Sequence, residues 1–222
     1  MMLSSTDKSQ SYLSAMGIQI WLERGLDQPV VPDSTDELLA VDSMDLLQLS
    51  DSVNHCQRCE LSALGSQKAF SIGTPTTQQW VIIGDAPTLD GLPFSAASSE
   101  LFRDILLAVD KKITSSYLTT SVKCVQNQRS PSAKEHQCCR TYLIRQIELV
   151  KPELVLILGE LAAQSLLSSS DTLDELRGKS HTLKGVDAPV IVSYHPDEVL
   201  RGPLLKKLVW QDLKMARRLV LA

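Results

Sequence analysis

The chain has 222 residues, which is enough for one sizeable domain and an appendage but too few for two ordinary domains. Its 43% hydrophobic and 22% charged residues are typical of a globular protein and exclude a largely disordered one. No apolar run approaches the roughly 18 residues that span a bilayer, and the first ten residues lack the basic start and apolar core of a secretory signal. The composition therefore predicts a cytoplasmic protein without a membrane span.

The net charge of −4 is unevenly distributed along the chain. Between residues 25 and 57 there is no Lys or Arg, and seven acidic side chains lie in that stretch. From residue 177 onwards, nine basic residues outnumber four acidic ones. We interpret the first stretch as an acidic linker. The second is a basic end that either contacts nucleic acid or forms ordinary solvated helix faces.

Residues 1–24 combine a short apolar helix with a stretch in which apolar residues alternate. So many large apolar side chains cannot bury themselves alone, so we expect them to bind either the domain surface or another protein. Three regions are predicted: a partner-binding peptide at 1–24, a linker at 25–53 and a folded domain at 54–222. The candidate partner-binding residues are Tyr12, Leu13, Met16, Ile18, Ile20 and Trp21.

Within residues 54–222, short apolar runs alternate with amphipathic helical segments. Two examples are the runs at 80–83 and 154–158, which end at Gly84 and Gly159. This alternation predicts an α/β fold with a central parallel sheet of four strands and helices on both faces. In such a sheet the ligand site lies at the carboxyl ends of the strands. Asp85, Cys124 and His195 follow predicted strand ends and are therefore candidate site residues.

The chain contains five cysteines: a C-x-x-C pair at Cys56 and Cys59, followed by Cys124, Cys138 and Cys139. Disulfides are not expected, because the cytoplasm keeps thiols reduced. Four thiolates can bind zinc or an iron–sulfur cluster, and their spacing does not decide between the two. Buried unpaired cysteines are the third alternative.

Motifs in order along about three quarters of the chain resemble those of family 4 uracil-DNA glycosylases. The stretches that carry the resemblance include Cys56-Gln-Arg-Cys59, Lys123-Cys124, Cys139-Arg140-Thr-Tyr-Leu, Lys151-Pro152 and Ser193-Tyr194-His195-Pro196. The resemblance implies a uracil-DNA glycosylase-like fold of three α/β/α layers and a bound 4Fe–4S cluster. The cluster ligands that it implies are Cys56, Cys59, Cys124 and Cys139, with Cys138 as the alternative to its neighbour.

The same resemblance implies which residues act on a flipped-out base. It places a catalytic acid at Asp85, a base-stacking ring at Phe94 and a catalytic histidine at His195. Thr120 occupies the position of an edge-reading Asn, and a hydroxyl cannot offer the paired donor and acceptor of an amide. The loop after Pro87 is also shorter than in the family. We therefore predict a damaged base pocket, in which Asp85 and His195 also have structural interpretations as a capping acid and a strand-end histidine.

Residues 12–21, with Arg24, resemble the N-terminus of the psi subunit of bacterial DNA polymerase III. That resemblance implies a peptide that binds the clamp loader. It also implies an inactive glycosylase-like domain that binds the chi subunit, which contacts single-stranded-DNA-binding protein. Together with the damaged pocket, it predicts a non-catalytic adaptor in the replicase. The alternative hypothesis is an active 4Fe–4S uracil-DNA glycosylase in base excision repair.

Overall fold

The computed structural model describes residues 41–76, 79–125 and 129–221. Its helices are α1 (Leu46–Asn54), α2 (Glu60–Ala63), α3 (Ala96–Leu107), α4 (Ala133–Val150), α5 (Glu160–Leu167), α6 (Leu173–Leu176), α7 (Pro196–Arg201) and α8 (Lys206–Leu221). Its strands are β1 (Trp80–Gly84), β2 (Tyr117–Thr120), β3 (Leu154–Leu158), β4 (Ser180–Leu183) and β5 (Val186–Ser193). Short 3-10 turns lie at Ile113–Ser115 and Pro203–Leu205. None of the helices in these ranges is both long and apolar enough to cross a bilayer.

The five strands form one sheet in the order β2-β1-β3-β5-β4. The first four are parallel, and β4 pairs with β5 in the antiparallel sense. The predicted α/β fold with a parallel sheet is confirmed, and the sheet has one strand more than the four expected. The additional edge strand forms because the chain reverses tightly at Gly185, whose φ of +84° favours glycine.

Two apolar clusters cover the two faces of the sheet. Alternate residues of a strand point to opposite faces, so Val81 and Ile83 of β1 join the cluster that packs against α4 and α5. Trp80 and Ile82 join the other cluster, which packs against α3 and α8. The result is the predicted arrangement of helices, sheet and helices in three layers.

Helix α4 carries His136, Cys138 and Cys139, and its ends are defined by local chemistry. Ser132 and Glu135 form a reciprocal capping box at its start, and Arg129 binds the Glu135 carboxylate at 2.6 Å. At the other end, Lys151 adopts a left-handed conformation with φ +51°, and Pro152 follows it, so the helix cannot continue. Cysteine and histidine side chains of the first two turns are thereby held at fixed positions.

Helix α1 lies within the stretch predicted to be a linker, yet it packs on the domain. Leu49 and Val53 are buried against Tyr142 of α4. Arg145 of the same helix donates two hydrogen bonds, of 3.0 and 2.9 Å, to the Met44 carbonyl. The packed domain therefore begins no later than residue 41, and the predicted boundary at residue 54 moves towards the N-terminus. Asp45, which caps α1, and Asp51 within it are both exposed, so the acidic composition of this stretch is compatible with a packed helix.

Candidate functional site

A cleft of about 380 Å³ opens at the carboxyl ends of the parallel strands, where the topology predicts a ligand site. Asp85 follows β1, Phe94 lies in the loop between β1 and α3, and His195 follows β5. The structure thus brings together three of the four residues predicted to act on a base. Thr120, the fourth, is buried at the end of β2 beside Gly84 and is not among the side chains that line the cleft.

Asp85 lies between the end of β1 and the first turn of α5. Its Oδ1 accepts a hydrogen bond from the Ala162 backbone N–H at 3.3 Å, so the carboxylate caps the helix. Gly159 makes this approach possible, because a Cβ there would lie 2.6 Å from Oδ2 of Asp85. Burial raises the pKa of Asp85 to about 7, and the hydrogen bond from Ala162 opposes part of that rise. The two interpretations from the sequence, capping acid and reactive acid, are therefore compatible in one side chain.

Phe94 and His195 are in edge-to-face contact within the cleft, with ring centres 5.4 Å apart. Phe102 of α3 supports Phe94 from behind, at 5.3 Å between ring centres. Gly84 leaves room for this loop, because a Cβ there would lie 3.0 Å from the Pro93 carbonyl oxygen and 3.2 Å from the Phe94 ring. The aromatic ring is thus fixed against the end of β1.

The protonation of His195 follows from its surroundings. Burial lowers the pKa of His195, against the raising effect of the nearby Asp197 carboxylate, so the ring is neutral near pH 7. Its Nδ1 accepts the backbone N–H of Asp197 at 3.3 Å, which leaves the ring proton on Nε2. Asp197 is itself held by the hydroxyls of Ser95 and Ser98 at the start of α3. These contacts join the His195 loop to the helix that follows Phe94.

Two polar groups of the cleft were not found from the sequence. His136 of α4 is fully buried, and its Nδ1 lies 2.8 Å from the Ser121 hydroxyl. Among the described residues, its Nε2 has no hydrogen-bond partner, and the buried Thr88 hydroxyl in the same cleft also has none. Burial lowers the pKa of His136 to about 4, so this ring is also neutral near pH 7. The sequence signal that could have revealed it is a histidine on the inward face of a helix that starts beside a strand end.

The strand that delivers His195 is braced by a buried ion pair. Asp212 of α8 is completely buried and accepts hydrogen bonds from Ser193 at 2.7 Å and from Arg177 at 3.0 and 3.2 Å. Arg177 also donates to the Leu208 carbonyl at 3.1 Å. Ser193 is the last residue of β5, so this network fixes the strand two residues before His195.

Replacing Arg177 with Met is expected to destabilise the domain by about 3–5 kcal/mol, because it leaves the Asp212 carboxylate buried without its cation. Urea unfolding near pH 7 measures the change. The matched control is Arg217→Met, which removes a surface ion pair with Asp110 and is expected to cost under about 1 kcal/mol. Equal losses of unfolding free energy in the two variants would show that the buried ion pair contributes no more stability than the surface ion pair.

The five cysteines line a second cavity, on the α4 side of β2, together with Arg58, Lys68, Lys123 and Tyr142. Cys59, Cys124 and Cys139 also share a small apolar cluster with Leu61. The predicted ligands are thus brought to one place from three segments of the chain: the C-x-x-C pair, the segment after β2 and the start of α4. Cys139 is buried and Cys138 is partly exposed, but both line the cavity, so the choice between them stays a prediction.

The surroundings of this cavity act on its sulfur atoms in both directions. Burial raises the pKa of Cys138 and raises that of Cys139 to about 11, whereas some neighbouring groups favour negatively charged sulfur. The Cys124 thiol donates a hydrogen bond to Cys59 and thereby lowers the pKa of Cys59 to about 6. The Arg58 backbone N–H donates to Cys56 Sγ at 3.5 Å. Lys123 is buried beside the cavity, and its Nζ donates to the Thr120 carbonyl at 2.8 Å and to the Gln146 side chain at 2.7 Å. Such donors and cations stabilise thiolates and metal-bound sulfur.

Over residues 41–76, 79–125 and 129–221, no three Cys, His, Asp or Glu side chains are arranged to hold a single metal ion. The donor set is one cavity lined by five cysteines and several basic side chains, and thiolates of this kind are ligands of zinc and of iron–sulfur clusters alike.

The residues predicted to bind a partner, Tyr12, Leu13, Met16, Ile18, Ile20 and Trp21, lie outside the described residues. Their role as a binding peptide, with the clamp loader and chi subunit as partners, stays a prediction from the sequence.

The fold and the cleft together define a three-layer α/β protein that holds a carboxylate, an aromatic ring and a neutral histidine in one cleft at the carboxyl ends of its parallel strands. Comparison with known proteins gives its family. The sequence profile of the Uracil DNA glycosylase superfamily matches residues 70–214, and the chain belongs to this superfamily.

Relatives within the superfamily are type-4 uracil-DNA glycosylases. The chain is 30% identical to the enzyme of that name from Archaeoglobus fulgidus over 170 residues, which cover 72% of this chain and 85% of the relative. It is 29% identical to that of Pyrobaculum aerophilum over 188 residues, or 78% and 93% of the two chains. For Thermotoga maritima the identity is 25% over 180 residues, covering 78% and 93%.

These relatives contradict the prediction of a non-catalytic replicase adaptor, which is wrong. They are named as glycosylases, and they align with most of this chain. The prediction depended on Thr120 and on the shortened loop as signs of a damaged pocket. The cleft nevertheless contains an acid, an aromatic ring and a histidine in contact, and it offers polar groups that the motif comparison did not consider.

Proposed function

We propose that this chain is a uracil-DNA glycosylase that hydrolyses the N-glycosidic bond of uracil in DNA as a step of base excision repair. The observation that carries the proposal is the convergence of Asp85, Phe94 and His195 on one cleft at the strand ends. The names of the type-4 relatives, which cover most of the chain, support the same activity.

The charges of the cleft favour a nucleobase over a phosphate. Asp85, Glu160, Asp197 and Glu198 line it, with Arg201 as the basic residue among the lining side chains. Carboxylates at such a site repel phosphate groups, so the part of the substrate inside the cleft is an extruded, uncharged base. Phe94 gives that base a ring to contact, since every base has a π face.

The phosphate backbone requires a basic surface elsewhere. The exposed side chains Lys206 and Lys207 open α8, a few residues after Arg201 at the cleft. Further along the same helix lie the exposed Lys214 and Arg218. We propose that these residues contact the DNA strand on either side of the extruded nucleotide, which would make binding weaken as salt rises.

Bond cleavage produces a sugar oxocarbenium ion and a uracil anion, and two residues are suited to them. The Asp85 carboxylate, once ionised, stabilises positive charge on the sugar and accepts a proton from the attacking water. His195 keeps its proton on Nε2 and so donates a hydrogen bond to a carbonyl oxygen of the departing uracil. A neutral histidine suffices, because a hydrogen bond to a developing anion strengthens as charge builds up.

We propose further that Cys56, Cys59, Cys124 and Cys139 hold a 4Fe–4S cluster. When bound, it supplies iron–thiolate bonds that cross-link distant segments of the chain. Arg58 and Lys68 around the same cavity would offset the negative charge of such a cluster, whereas burial lowers the pKa of the neighbouring Lys123 to about 7. The segment after β2 and the start of α4 both carry ligands and both contribute to the cleft through Ser130, Pro131 and His136, so the cluster would brace one wall of the cleft.

Release of free uracil from single-stranded, uracil-containing DNA tests the proposed activity. The unmodified protein is expected to release it, and His195→Ala is expected to lower kcat by roughly a hundredfold to a thousandfold, as for loss of one donor to a developing anion. His55→Ala is the matched control, because that histidine is exposed and is absent from the cleft lining.

Chromatographic detection of uracil with time gives kcat and KM for all three proteins. Failure of the unmodified, cluster-loaded protein to release uracil from either single- or double-stranded DNA would contradict the proposal. Equal rates for His195→Ala and His55→Ala would remove His195 from the mechanism.

A further inference from the structure

The wall of the cleft opposite His195 contains a second histidine, His136, which takes no part in the proposed bond cleavage. Within the sheet order β2-β1-β3-β5, Asp85 follows the inner strand β1, whereas His195 follows β5 on one side of it. His136 is hydrogen-bonded to Ser121, which immediately follows β2 on the other side. A base that enters the cleft therefore lies between two histidines, one from each side of Asp85.

His136 differs from an ordinary core histidine in the state of its two ring nitrogens. The residue is completely buried, so it cannot reach bulk water through its surface. Nδ1 is engaged by the Ser121 hydroxyl, whereas the buried Nε2 has no hydrogen-bond partner among the described residues, and His136 is one of the residues that line the cleft. A buried polar atom left without a partner has lost its hydrogen bonds to water without replacing them, which destabilises the folded protein. Orphaned groups of this kind at a cleft are satisfied when a ligand with complementary polar atoms binds.

The Thr88 hydroxyl is a second, independent observation of the same kind. It is buried in the loop after β1, it lines the same cleft, and it also has no partner. Two orphaned polar groups from separate segments, in a cleft lined by carboxylates and one aromatic ring, call for a flat ligand with donors and acceptors on its rim. A pyrimidine has that chemistry, since its edge carries carbonyl oxygens and a ring N–H.

We propose that His136, oriented by Ser121, hydrogen-bonds through Nε2 to the edge of the extruded uracil and so supplies the edge contact for which Thr120 lacks an amide. The neutral imidazole offers one atom, which donates to a carbonyl or accepts the ring N–H according to the tautomer that Ser121 selects. This inference rests on the proposed function and identifies how the same cleft recognises its base.

The role predicts a particular kinetic effect. A contact to the base edge exists in the bound substrate as well as in the transition state, so its loss raises KM and affects kcat less. His136→Leu, which keeps the volume but not the polar atom, is expected to lower kcat/KM for uracil in single-stranded DNA by about tenfold to a hundredfold. His136→Gln is expected to recover part of that loss. His195→Ala, in contrast, lowers kcat.

A binding measurement separates this inference from the proposed activity. Titration of the unmodified protein with free uracil, followed by 15N NMR of the histidine rings, needs no turnover. A shift of the His136 Nε2 signal, absent from His136→Gln spectra and without change at His55, is the expected result. It also carries the test if His136→Leu fails to fold.

Two results would overturn the inference. One is a His136 Nε2 chemical shift that does not change when uracil is added, and the other is an unchanged kcat/KM in a folded His136→Leu protein that still excises uracil. If the unmodified protein releases no uracil but its His136 signal responds to the free base, the proposed activity fails while the base contact stands.

Discussion

Replacing Cys124 with Ala is expected to yield a colourless protein that is largely unfolded at physiological temperature. Cys124 is buried beside Cys59 and Cys139, and it belongs to the segment that follows β2. The free energy of binding a structural metal group contributes directly to folding. Because a domain of this size is stable by only about 5–15 kcal/mol, loss of the cluster removes much of that margin.

Iron and sulfide content, the visible spectrum and far-ultraviolet circular dichroism, measured after anaerobic purification, test this prediction. Cys138→Ala is the matched control, because Cys138 lies in the same turn of α4 as the predicted ligand Cys139 but is partly exposed, and this variant is expected to keep both colour and fold. A colourless unmodified protein with one bound zinc per chain would contradict the cluster. If Cys139→Ala is brown and Cys138→Ala is colourless, Cys138 is the fourth ligand in place of Cys139.

Replacing Asp85 with Asn is expected to lower kcat for uracil release by roughly a hundredfold to ten-thousandfold, the usual contribution of a general acid or base. The amide oxygen of Asn still accepts the Ala162 N–H, so the cap on α5 is kept while the charge is lost. Since the pKa of Asp85 is about 7, the rate of the unmodified enzyme is expected to rise with pH up to that value and then level off. The Asn variant is expected to lack that rise.

Asp85→Asn is expected to lower activity but to raise the stability of the fold. The pKa of Asp85 is about 7 in the folded protein and near the ordinary 3.8 when unfolded, so the folded state binds this proton more tightly. Stability from this group is present below pH 3.8 and is lost as pH rises towards 7. At pH 8, Asp85→Asn should therefore raise the free energy of unfolding by up to roughly 4 kcal/mol. Urea unfolding at pH 5 and pH 8 measures the difference.

Asp90→Asn serves as the control for both effects, because Asp90 is an exposed residue of the same loop and is not part of the cleft lining. Equal activity of Asp85→Asn and the unmodified enzyme would remove Asp85 from the reaction. A lower stability of Asp85→Asn at pH 8 would show that its ionised carboxylate stabilises the fold.

The sequence predicts the parallel core of the sheet because β1 and β3 are uninterrupted apolar runs, buried along their whole length. It misses β4 because Ser180–Leu183 is a largely exposed edge strand whose pairing is determined by the turn at Gly185. Helix α1 lies in the acidic stretch that predicts a linker, whereas its packing depends on contact with Tyr142, almost ninety residues later. Contacts of that range are invisible to local pattern.

The candidate site shows the same division. Asp85, Phe94 and His195 follow strand ends or a recognisable motif, so their convergence could be predicted. The place of His136 in the cleft could not be predicted. The periodicity of a helix does not distinguish a histidine buried in the core from one that lines a cleft and keeps a ring nitrogen without a partner among the described residues. Thr120 stands where the motif has an Asn, which predicted a damaged base pocket. A motif that lacks one amide gives no information about polar atoms that other segments of the chain contribute to the cleft.

The positions of the cysteines along the chain have a consequence for biosynthesis. All five precede residue 140, whereas β3, β5 and α8 follow it, so the ribosome delivers the complete set of sulfur ligands when only β1 and β2 of the sheet have been made. Cluster assembly could then begin on the nascent chain, before His195 and the buried brace at Asp212 emerge. The cell's iron supply would act on this protein at an early point of its synthesis, and the reactive cleft would close last.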